Sequence, residues 1–494
     1  MKSYWEKEHK EFEEIKQDKE AFVCVIGGGI TGISTAYYLS KYKKVIVLEK
    51  NRLFCKTSGK NTGKVTSQHG LFYDYLINSQ NEDFARKYLE ANENAIDYIE
   101  NIIKEENINC DFERENAYVF TNQKDELEKI KNEVHAVNKL KENLCTYKQN
   151  LEVPFKALGA IEFKNQVKIH PTKYGYGLVK SILKNKGEIF ENSQVTNITK
   201  KGKKYEIDVN NNKVIADYVV IATRYPNMSF PGYYFLKMYQ STSFAMVFDC
   251  KSKLFNGMYI SAEVPTMSFR TIKEKDKTLL LAVGYDYKTG SENVENGYAK
   301  IEKFVKNIYP EAQVLYKWTA EDCISLDKIP YIGEFSNIMK NIYIATGFNK
   351  WGLTTSNIAA RIIANKILGI ENKYEDVFKS TRMEPIKNIE EVKNMLGQAG
   401  KSIVLSRFEI PEEQLKDIKN GEGKIVNIND TKVGIYKTDD GEIYKVKPIC
   451  THLGCELHFN NIEKVWECPC HGSKFNYKGE SIEVPSNEDL EEDK

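Results

Sequence analysis

A glycine-rich turn between an apolar strand and a helix constrains the fold of this chain more than any other feature. The sequence GGGITG at 27–32 follows the apolar run FVCVI and opens a helix. This spacing puts Gly27 in the tight turn, Gly29 where the backbone must approach a pyrophosphate, and Gly32 where the helix packs on the strand. Glu49 ends the next strand, where a carboxylate can accept hydrogen bonds from ribose hydroxyls. The pattern predicts a dinucleotide-binding α/β domain; the alternative is a glycine turn that binds nothing.

The remaining sequence divides into segments of different character, and its 494 residues are enough for about three globular units at roughly 150 residues each. Helical spacing over 83–104, 123–143 and 355–368, and short alternating apolar runs between 160 and 300, predict helices and mixed sheets. We expect a charged, lightly packed arm, a main domain, a polar linker and a small all-β module. Their expected ranges are 1–20, 21–380, 381–402 and 403–494.

Charge and hydropathy exclude several classes of partner. The 71 basic and 70 acidic side chains leave a formal net charge of +1, so nucleic acid is not an expected partner. No apolar run approaches the roughly 18 residues that a membrane span needs, and the charged N-terminus has no apolar signal-peptide core. The sequence therefore predicts a cytoplasmic protein without a membrane span.

Two further stretches indicate which dinucleotide is bound. TSGKNTGKVTSQHG at 57–70 lies beyond the second strand, and ATGFNKWGLT at 345–354 precedes a late helix. Together with the single glycine fingerprint, they resemble the D-amino-acid-oxidase-like family of FAD enzymes, which includes glycine and sarcosine oxidases. The resemblance implies non-covalent FAD on a Rossmann-like domain of the glutathione-reductase type. It also implies an inserted mixed-sheet substrate domain, formed by segments at about 80–150 and 235–330.

The same resemblance implies particular site residues. The FAD-binding residues would be Gly27, Gly29, Ile30, Thr31, Gly32, Glu49, Lys50, Thr57, Ser58, Gly59, Asn61, Thr62, Gly63, Lys64, Val195, Thr223, Gly347, Phe348, Gly352, Leu353 and Thr354. His69 and Lys350 would lie near the flavin ring, and Arg270 in the inserted sheet is a candidate to clamp a substrate carboxylate. For each of these three side chains the alternative is a purely structural role.

Four cysteines and two histidines are concentrated near the C-terminus. Cys450-Thr-His452-Leu-Gly-Cys455 is followed, after twelve residues, by Cys468-Pro-Cys470-His471. Structural zinc sites usually pair their ligands as C-x₂₋₄-C and H-x₃₋₅-H, which these C-x-H and C-x-x-H pairs do not follow. Zinc nevertheless remains the alternative to an iron–sulfur cluster.

These two cysteine–histidine segments, called boxes below, resemble those of Rieske domains. The resemblance implies a [2Fe–2S] cluster with two cysteine ligands on one iron and two histidine ligands on the other. It further implies a disulfide of the kind found in cytochrome-complex Rieske proteins. The implied ligands are Cys450, His452, Cys468 and His471, and the implied disulfide joins Cys455 and Cys470.

Three functions are compatible with one flavin and one such cluster. The chain has seven histidines, and apart from the implied ligands none has a spacing that suits the mononuclear iron of a ring-hydroxylating oxygenase. The first hypothesis is a dehydrogenase that oxidises an amine or amino-acid-like substrate and passes electrons through the cluster to an external carrier: ferredoxin, flavodoxin or a quinone-linked protein. The second is a reductase with the opposite electron flow, and the third a non-enzymatic redox sensor.

Overall fold

The computed structural model describes residues 2–7, 9–226, 231–382, 418–428 and 431–491. The helices are α1 (Ile30–Ser40), α2 (Tyr73–Ser79), α3 (Glu82–Glu105), α4 (Leu127–Leu140), α5 (Pro171–Lys184), α6 (Gly297–Ile308), α7 (Gly352–Leu368) and α8 (Glu375–Phe378). The strands up to residue 346 are β1 (Lys19–Ile26), β2 (Val45–Leu48), β3 (Lys64–Val65), β4 (Glu113–Thr121), β5 (Cys145–Lys148), β6 (Gly159–Lys168), β7 (Glu188–Phe190), β8 (Val195–Lys201), β9 (Lys204–Val209), β10 (Asn212–Ile221), β11 (Met238–Asp249), β12 (Met258–Ser261), β13 (Met267–Glu274), β14 (Lys277–Lys288), β15 (Gln313–Ser325), β16 (Tyr331–Glu334) and β17 (Ile342–Thr346). The C-terminal strands are β18 (Glu422–Ile428), β19 (Thr431–Lys437), β20 (Ile443–Val446), β21 (His458–Asn460), β22 (Val465–Glu467), β23 (Lys474–Asn476) and β24 (Ser481–Glu483).

The first sheet is the predicted dinucleotide-binding sheet. Its strand order is β16-β17-β10-β1-β2-β7, with the hairpin β8–β9 beside β10, and its central pairs are parallel. Central parallel strands are covered on both faces, which explains the continuous apolar runs that the sequence showed. Helix α7 begins at Gly352, three residues before the predicted start. The carboxyl ends of β1, β10 and β17 bring the glycine turn and the predicted segments at 223 and 347 to one edge.

The second sheet has nine strands and corresponds to the predicted inserted domain. Its order is β15-β11-β14-β13-β12-β4-β6-β3, with β5 beside β6. Most pairs are antiparallel, but β12 and β4 are parallel, so the sheet is mixed as expected. The first inserted segment reaches Lys168, beyond the predicted boundary near 150. The fold class predicted from the sequence is confirmed.

The C-terminal module consists of two small antiparallel sheets, β18–β20 and β21–β24. All but the first two residues of the predicted linker 381–402, and the start of the predicted module at 403, lie outside the described residues. Within the described ranges, no helix combines the length and the apolar composition that crossing a bilayer requires.

The expectation of a lightly packed N-terminal arm is wrong. Tyr4 and Trp5 are buried, and the indole Nε1 of Trp5 donates to the carbonyl oxygen of Asn61 at 2.6 Å. The Thr172 hydroxyl donates to the carbonyl oxygen of Trp5 at 2.8 Å. The many charged residues around this aromatic pair concealed its burial at the sequence level. The arm therefore supports the 57–64 stretch predicted to bind FAD.

We expect Trp5→Ala to destabilise the protein by about 3–5 kcal/mol, the usual cost of truncating a fully buried tryptophan. The change also removes the hydrogen bond to Asn61, so FAD should bind more weakly. Chemical denaturation and FAD titration measure the two effects. Tyr42→Ala, at a side chain 69% exposed, is the control and should change stability by no more than about 0.5 kcal/mol. A Trp5→Ala protein as stable as the control would show that the arm is not docked.

Candidate functional site

The glycine turn has the geometry that its spacing predicts. Gly27 has φ +110°, and a Cβ there would lie 2.5 Å from the carbonyl oxygen of Ala222. A Cβ at Gly32 would lie 2.0 Å from the carbonyl oxygen of Gly27. At Gly29 the nearest atom to such a Cβ is the Ser58 hydroxyl at 3.0 Å, so no backbone crowds that side of the turn. The start of α1 therefore presents an open backbone cradle, which suits a pyrophosphate.

Glu49 fixes this turn from the end of β2. Its carboxylate accepts hydrogen bonds from the backbone N–H of Gly28 at 2.6 Å and of Asn51 at 2.8 Å. Burial raises the pKa of Glu49, although these two hydrogen bonds act in the opposite direction. A carboxylate has about four acceptor sites, so it retains capacity for ribose hydroxyls.

A cavity of about 380 Å³ lies along the turn. The predicted FAD-binding residues that line it are Gly27, Gly29, Ile30, Thr31, Glu49, Lys50, Thr57, Ser58, Asn61, Thr62, Lys64, Val195, Thr223, Gly347, Phe348, Gly352 and Leu353. The others, Gly32, Gly59, Gly63 and Thr354, do not line it, and the Thr354 hydroxyl instead donates to the carbonyl oxygen of Thr66 at 2.9 Å. The glycine cradle, the carboxylate at the end of β2 and this cavity fit FAD.

His69 lies outside the lining of that cavity. One ring nitrogen is 2.8 Å from the Tyr88 hydroxyl and the other 3.0 Å from the carbonyl oxygen of Thr66, and the ring stacks on Trp351. Burial lowers the pKa of His69 to about 3, so the imidazole is neutral near pH 7. Its contacts support the structural alternative.

Arg270 also lies outside the lining of that cavity, and its role as a carboxylate clamp stays a prediction. Its guanidinium donates to the carbonyl oxygens of Thr62 at 3.1 Å, Gly63 at 2.9 Å and Ile169 at 3.1 Å. All three carbonyl oxygens accept from Nη1, so this end of the guanidinium braces the FAD-binding stretch. The sequence does not show the strand register that directs the Arg270 side chain towards these backbone carbonyls.

Lys350 does line the cavity, as do the side chains of Lys64 and Asp322. Its ammonium lies 2.8 Å from the carboxylate of Asp286. The ammonium of Lys64 donates to the carbonyl oxygen of Tyr259 at 2.8 Å, and burial lowers its pKa well below the usual range. Asp322 was not found from the sequence, because one carboxylate in a strand gives no signal. Burial raises the pKa of Asp322 to about 6, although the cation of Lys350 opposes the shift.

We expect Asp322→Asn to stabilise the FAD-free protein by about 1–3 kcal/mol near neutral pH, since each pKa unit corresponds to 1.36 kcal/mol. The pKa of Asp322 is about 6 in the folded protein against an ordinary value of 3.8. Its ionised form therefore costs stability above about pH 6, and the cost fades as the pH falls towards 3.8. Denaturation at several pH values measures the gain, with the exposed Asp276→Asn as control. A gain that is independent of pH would contradict this assignment.

The two cysteine–histidine boxes form adjacent loops in the C-terminal module. In the first loop, the backbone N–H of Cys450 donates to the carbonyl oxygen of Cys455 at 2.8 Å. In the second, the N–H of Cys468 donates to the carbonyl oxygen of Ser473 at 2.8 Å. A hydrogen bond from the neighbouring Cys468 thiol lowers the pKa of Cys450. The two predicted thiolate ligands are thus side by side.

The remaining predicted residues of these loops also come together. The rings of His452 and His471 have centroids 5.1 Å apart, and Nδ1 of His471 is buried without a hydrogen-bond partner among the described residues. Cys455 and Cys470 are joined in a disulfide with Cα atoms 6.5 Å apart, as the resemblance implies. Paired thiols, paired imidazoles and an unsatisfied buried ring nitrogen fit a [2Fe–2S] cluster with mixed ligands.

The second ligand loop is docked on the flavin domain through Gln240 of β11. The Gln240 amide donates to the carbonyl oxygens of His471 at 2.8 Å and Val484 at 2.7 Å. A Cβ added at Gly472 would lie 2.6 Å from Cβ of Gln240, so the backbone of the ligand loop packs directly against the Gln240 side chain. Gln240 pairs in the sheet with Cys323 of β15, which lines the cavity. The ligand loop therefore contacts β11, and the neighbouring strand β15 contributes to the wall of the cavity.

Buried charges complete the contact between the modules. The ammonium of Lys474 lies 3.1 Å from the carboxylate of Glu321 in the flavin domain and 3.1 Å from that of Glu467 in its own module. Burial alone would raise the pKa of Glu321, but the cations of Lys60, Lys474 and Arg224 hold it well below the usual range. Glu321 is therefore ionised at neutral pH, and its ion pair with Lys474 tethers the two modules by charge.

The comparisons with known proteins agree with both sites. The chain matches the family described as FAD dependent oxidoreductase over residues 23–366 and the Rieske [2Fe-2S] domain over 409–492. It is 34% identical to YhfW of Bacillus subtilis (strain 168), named as a Rieske 2Fe-2S iron-sulfur protein, across 97% of this chain and 95% of that protein. It is 25% identical to gamma-glutamylputrescine oxidoreductase of Escherichia coli (strain K12), across 74% of this chain and 87% of that enzyme.

The fold is also similar to that of a solved enzyme, glycine oxidase from Geobacillus kaustophilus. The TM-score is 0.62 at 15% identity, and the match covers 74% of this chain and all of that one. The chain therefore belongs to the FAD-dependent oxidoreductase family, as an enzyme that binds FAD and carries a C-terminal Rieske [2Fe–2S] domain.

Proposed function

We propose that the protein is a dehydrogenase that oxidises an amine or amino-acid-like molecule at its flavin, and that the electrons leave through the Rieske cluster to an external carrier. The docked ligand loop carries this proposal. The carbonyl oxygen of His471 is hydrogen-bonded to Gln240, whose sheet partner Cys323 lines the FAD cavity. Neighbouring strands lie only about 4.8 Å apart, so this contact offers a short protein path between the two sites.

The cofactors supply the redox chemistry and the chain supplies the binding groups. A bound flavin takes a hydride from a carbon next to nitrogen, whereas a [2Fe–2S] cluster takes electrons singly. The side chains of Asp322 and Lys350 line the same cavity and provide an acidic and a basic group. Charges of both signs suit a small substrate with an amino group and an acidic group. The names of the E. coli relative and the Geobacillus enzyme support the same substrate class.

Anaerobic reduction tests the proposal. The holoprotein is mixed with amino acids, N-methylated amino acids and polyamines while flavin absorbance and the electron paramagnetic resonance of the cluster are recorded. We expect at least one compound to bleach the flavin and produce the signal of the reduced cluster. If none does, but reduced ferredoxin or a reduced nicotinamide reduces both centres, electrons flow in the opposite direction.

A further inference from the structure

We propose that the segment 481–487 of the Rieske module forms part of the FAD site. Within it, Glu483 holds Arg224 of the flavin domain in position against the cofactor. Binding of FAD and docking of the module then stabilise each other. This inference concerns how the cofactor is held, so it does not depend on the substrate or on the direction of electron flow.

The cavity wall supports a shared site. In addition to the predicted FAD-binding residues, five residues of the Rieske module line the cavity. These residues are Ser481, Ile482, Glu483, Val484 and Asn487. They follow β23 and contain β24, so the wall is held by the small sheet β21–β24, whose strand β23 begins three residues after His471. An FAD molecule in this cavity is thus enclosed by both modules.

Glu483 is the charged centre of that wall. Its side chain is 7% exposed, and its carboxylate lies 2.7 Å from the guanidinium of Arg224 and 2.9 Å from the ammonium of Lys56. Lys56 also donates to the carbonyl oxygen of Ile482 at 2.6 Å. Burial alone would raise the pKa of Glu483, but Arg224 and Lys56 lower it, so it is ionised near pH 7. Both of these cations, Arg224 and Lys56, belong to the flavin domain.

Arg224 connects this carboxylate to the cofactor site. It follows Thr223 at the end of β10, lines the cavity, and donates through Nη1 to the Thr57 hydroxyl at 3.2 Å. Because Arg224 lines the cavity, its positive charge lies beside the cofactor site, where the phosphate and hydroxyl oxygens of FAD are suitable partners. Glu483 holds the guanidinium in that position.

The two events must then be thermodynamically linked. If FAD binds more tightly to the docked state, FAD in turn favours docking by the same factor. Glu483→Gln keeps the size of the side chain but removes the charge that holds Arg224 and Lys56. We expect the dissociation constant of FAD to rise about 5- to 150-fold, the usual range for coupled sites.

The test uses full-length protein from which FAD has been removed, with FAD fluorescence reporting rebinding. Glu488→Gln is the matched control, because it makes the same change at an exposed position directly after the segment. The visible circular dichroism of the cluster reports whether the module remains folded in each variant. We expect weak FAD binding in Glu483→Gln with an intact cluster spectrum, and near-normal binding in the control.

Two further variants keep the inference falsifiable. Arg224→Met combined with Glu483→Gln should bind FAD no more weakly than Arg224→Met alone, because the carboxylate acts through the guanidinium. If Glu483→Gln does not fold, Glu483→Asp retains the charge on a shorter side chain and should bind FAD more weakly than the wild type. Wild-type FAD affinity in the folded variants, or additive effects in the double variant, would overturn the proposal.

Discussion

Replacing Lys474 by alanine is expected to destabilise the holoprotein by about 3–5 kcal/mol and to release the Rieske module from the flavin domain. The Lys474 side chain is 3% exposed and lies between Glu321 and Glu467, whose side chains are 3% and 1% exposed. Removing the ammonium leaves two carboxylates buried without that cation. An uncompensated buried charge costs far more than the net contribution of an intact pair.

Denaturant unfolding monitored by flavin and cluster absorbance measures this effect. Lys447→Ala is the control within the same module, because Lys447 pairs with Glu491 and both side chains are more than half exposed. An exposed pair contributes only about 0.2–1 kcal/mol. Equal stability losses in the two variants would mean that Lys474 does not hold the modules together.

Replacing Gly27 by alanine is expected to weaken FAD binding by about 100-fold or more, corresponding to about 2.7 kcal/mol. The backbone at Gly27 has φ +110°, and the new methyl group would lie 2.5 Å from the carbonyl oxygen of Ala222. The turn must therefore move away from β10, and the start of α1 with it. The iron–sulfur cluster, which is held by a different module, should remain.

Gly202→Ala controls for the strain of a left-handed backbone. Gly202 has φ +63°, but nothing lies within 4 Å of the position of its Cβ. We expect this variant to retain FAD and to lose only about 1 kcal/mol of stability. The flavin-to-iron ratio of the purified proteins distinguishes the two changes. A Gly27→Ala protein with a full complement of FAD would contradict the assigned role of the turn.

The sequence was most informative where chemistry requires a fixed spacing. The glycine turn and the cysteine–histidine boxes each depend on neighbouring residues in the chain, and the structure has them in the expected geometry. Apolar periodicity likewise predicted the strands and helices of the main domain. These features are local, so a single sequence contains them.

The contacts between distant segments could not be predicted in this way. Arg270 braces a loop because of its strand register, and Trp5 is buried because the arm folds back on Asn61. The ion pair between Arg224 and Glu483 joins residues 259 positions apart, and neither residue belongs to a motif. One signal was available at Arg224, since it directly follows Thr223 at the end of a central parallel strand, where ligands gather.

The central claim, that flavin and cluster exchange electrons within one docked chain, is tested most directly by rapid photochemical reduction of the holoprotein. A light-activated donor reduces the flavin, and cluster absorbance is followed over a range of protein concentrations. The docked arrangement predicts that the cluster becomes reduced at a rate that does not change with protein concentration. A rate that rises in proportion to protein concentration would show transfer between molecules and would contradict the account.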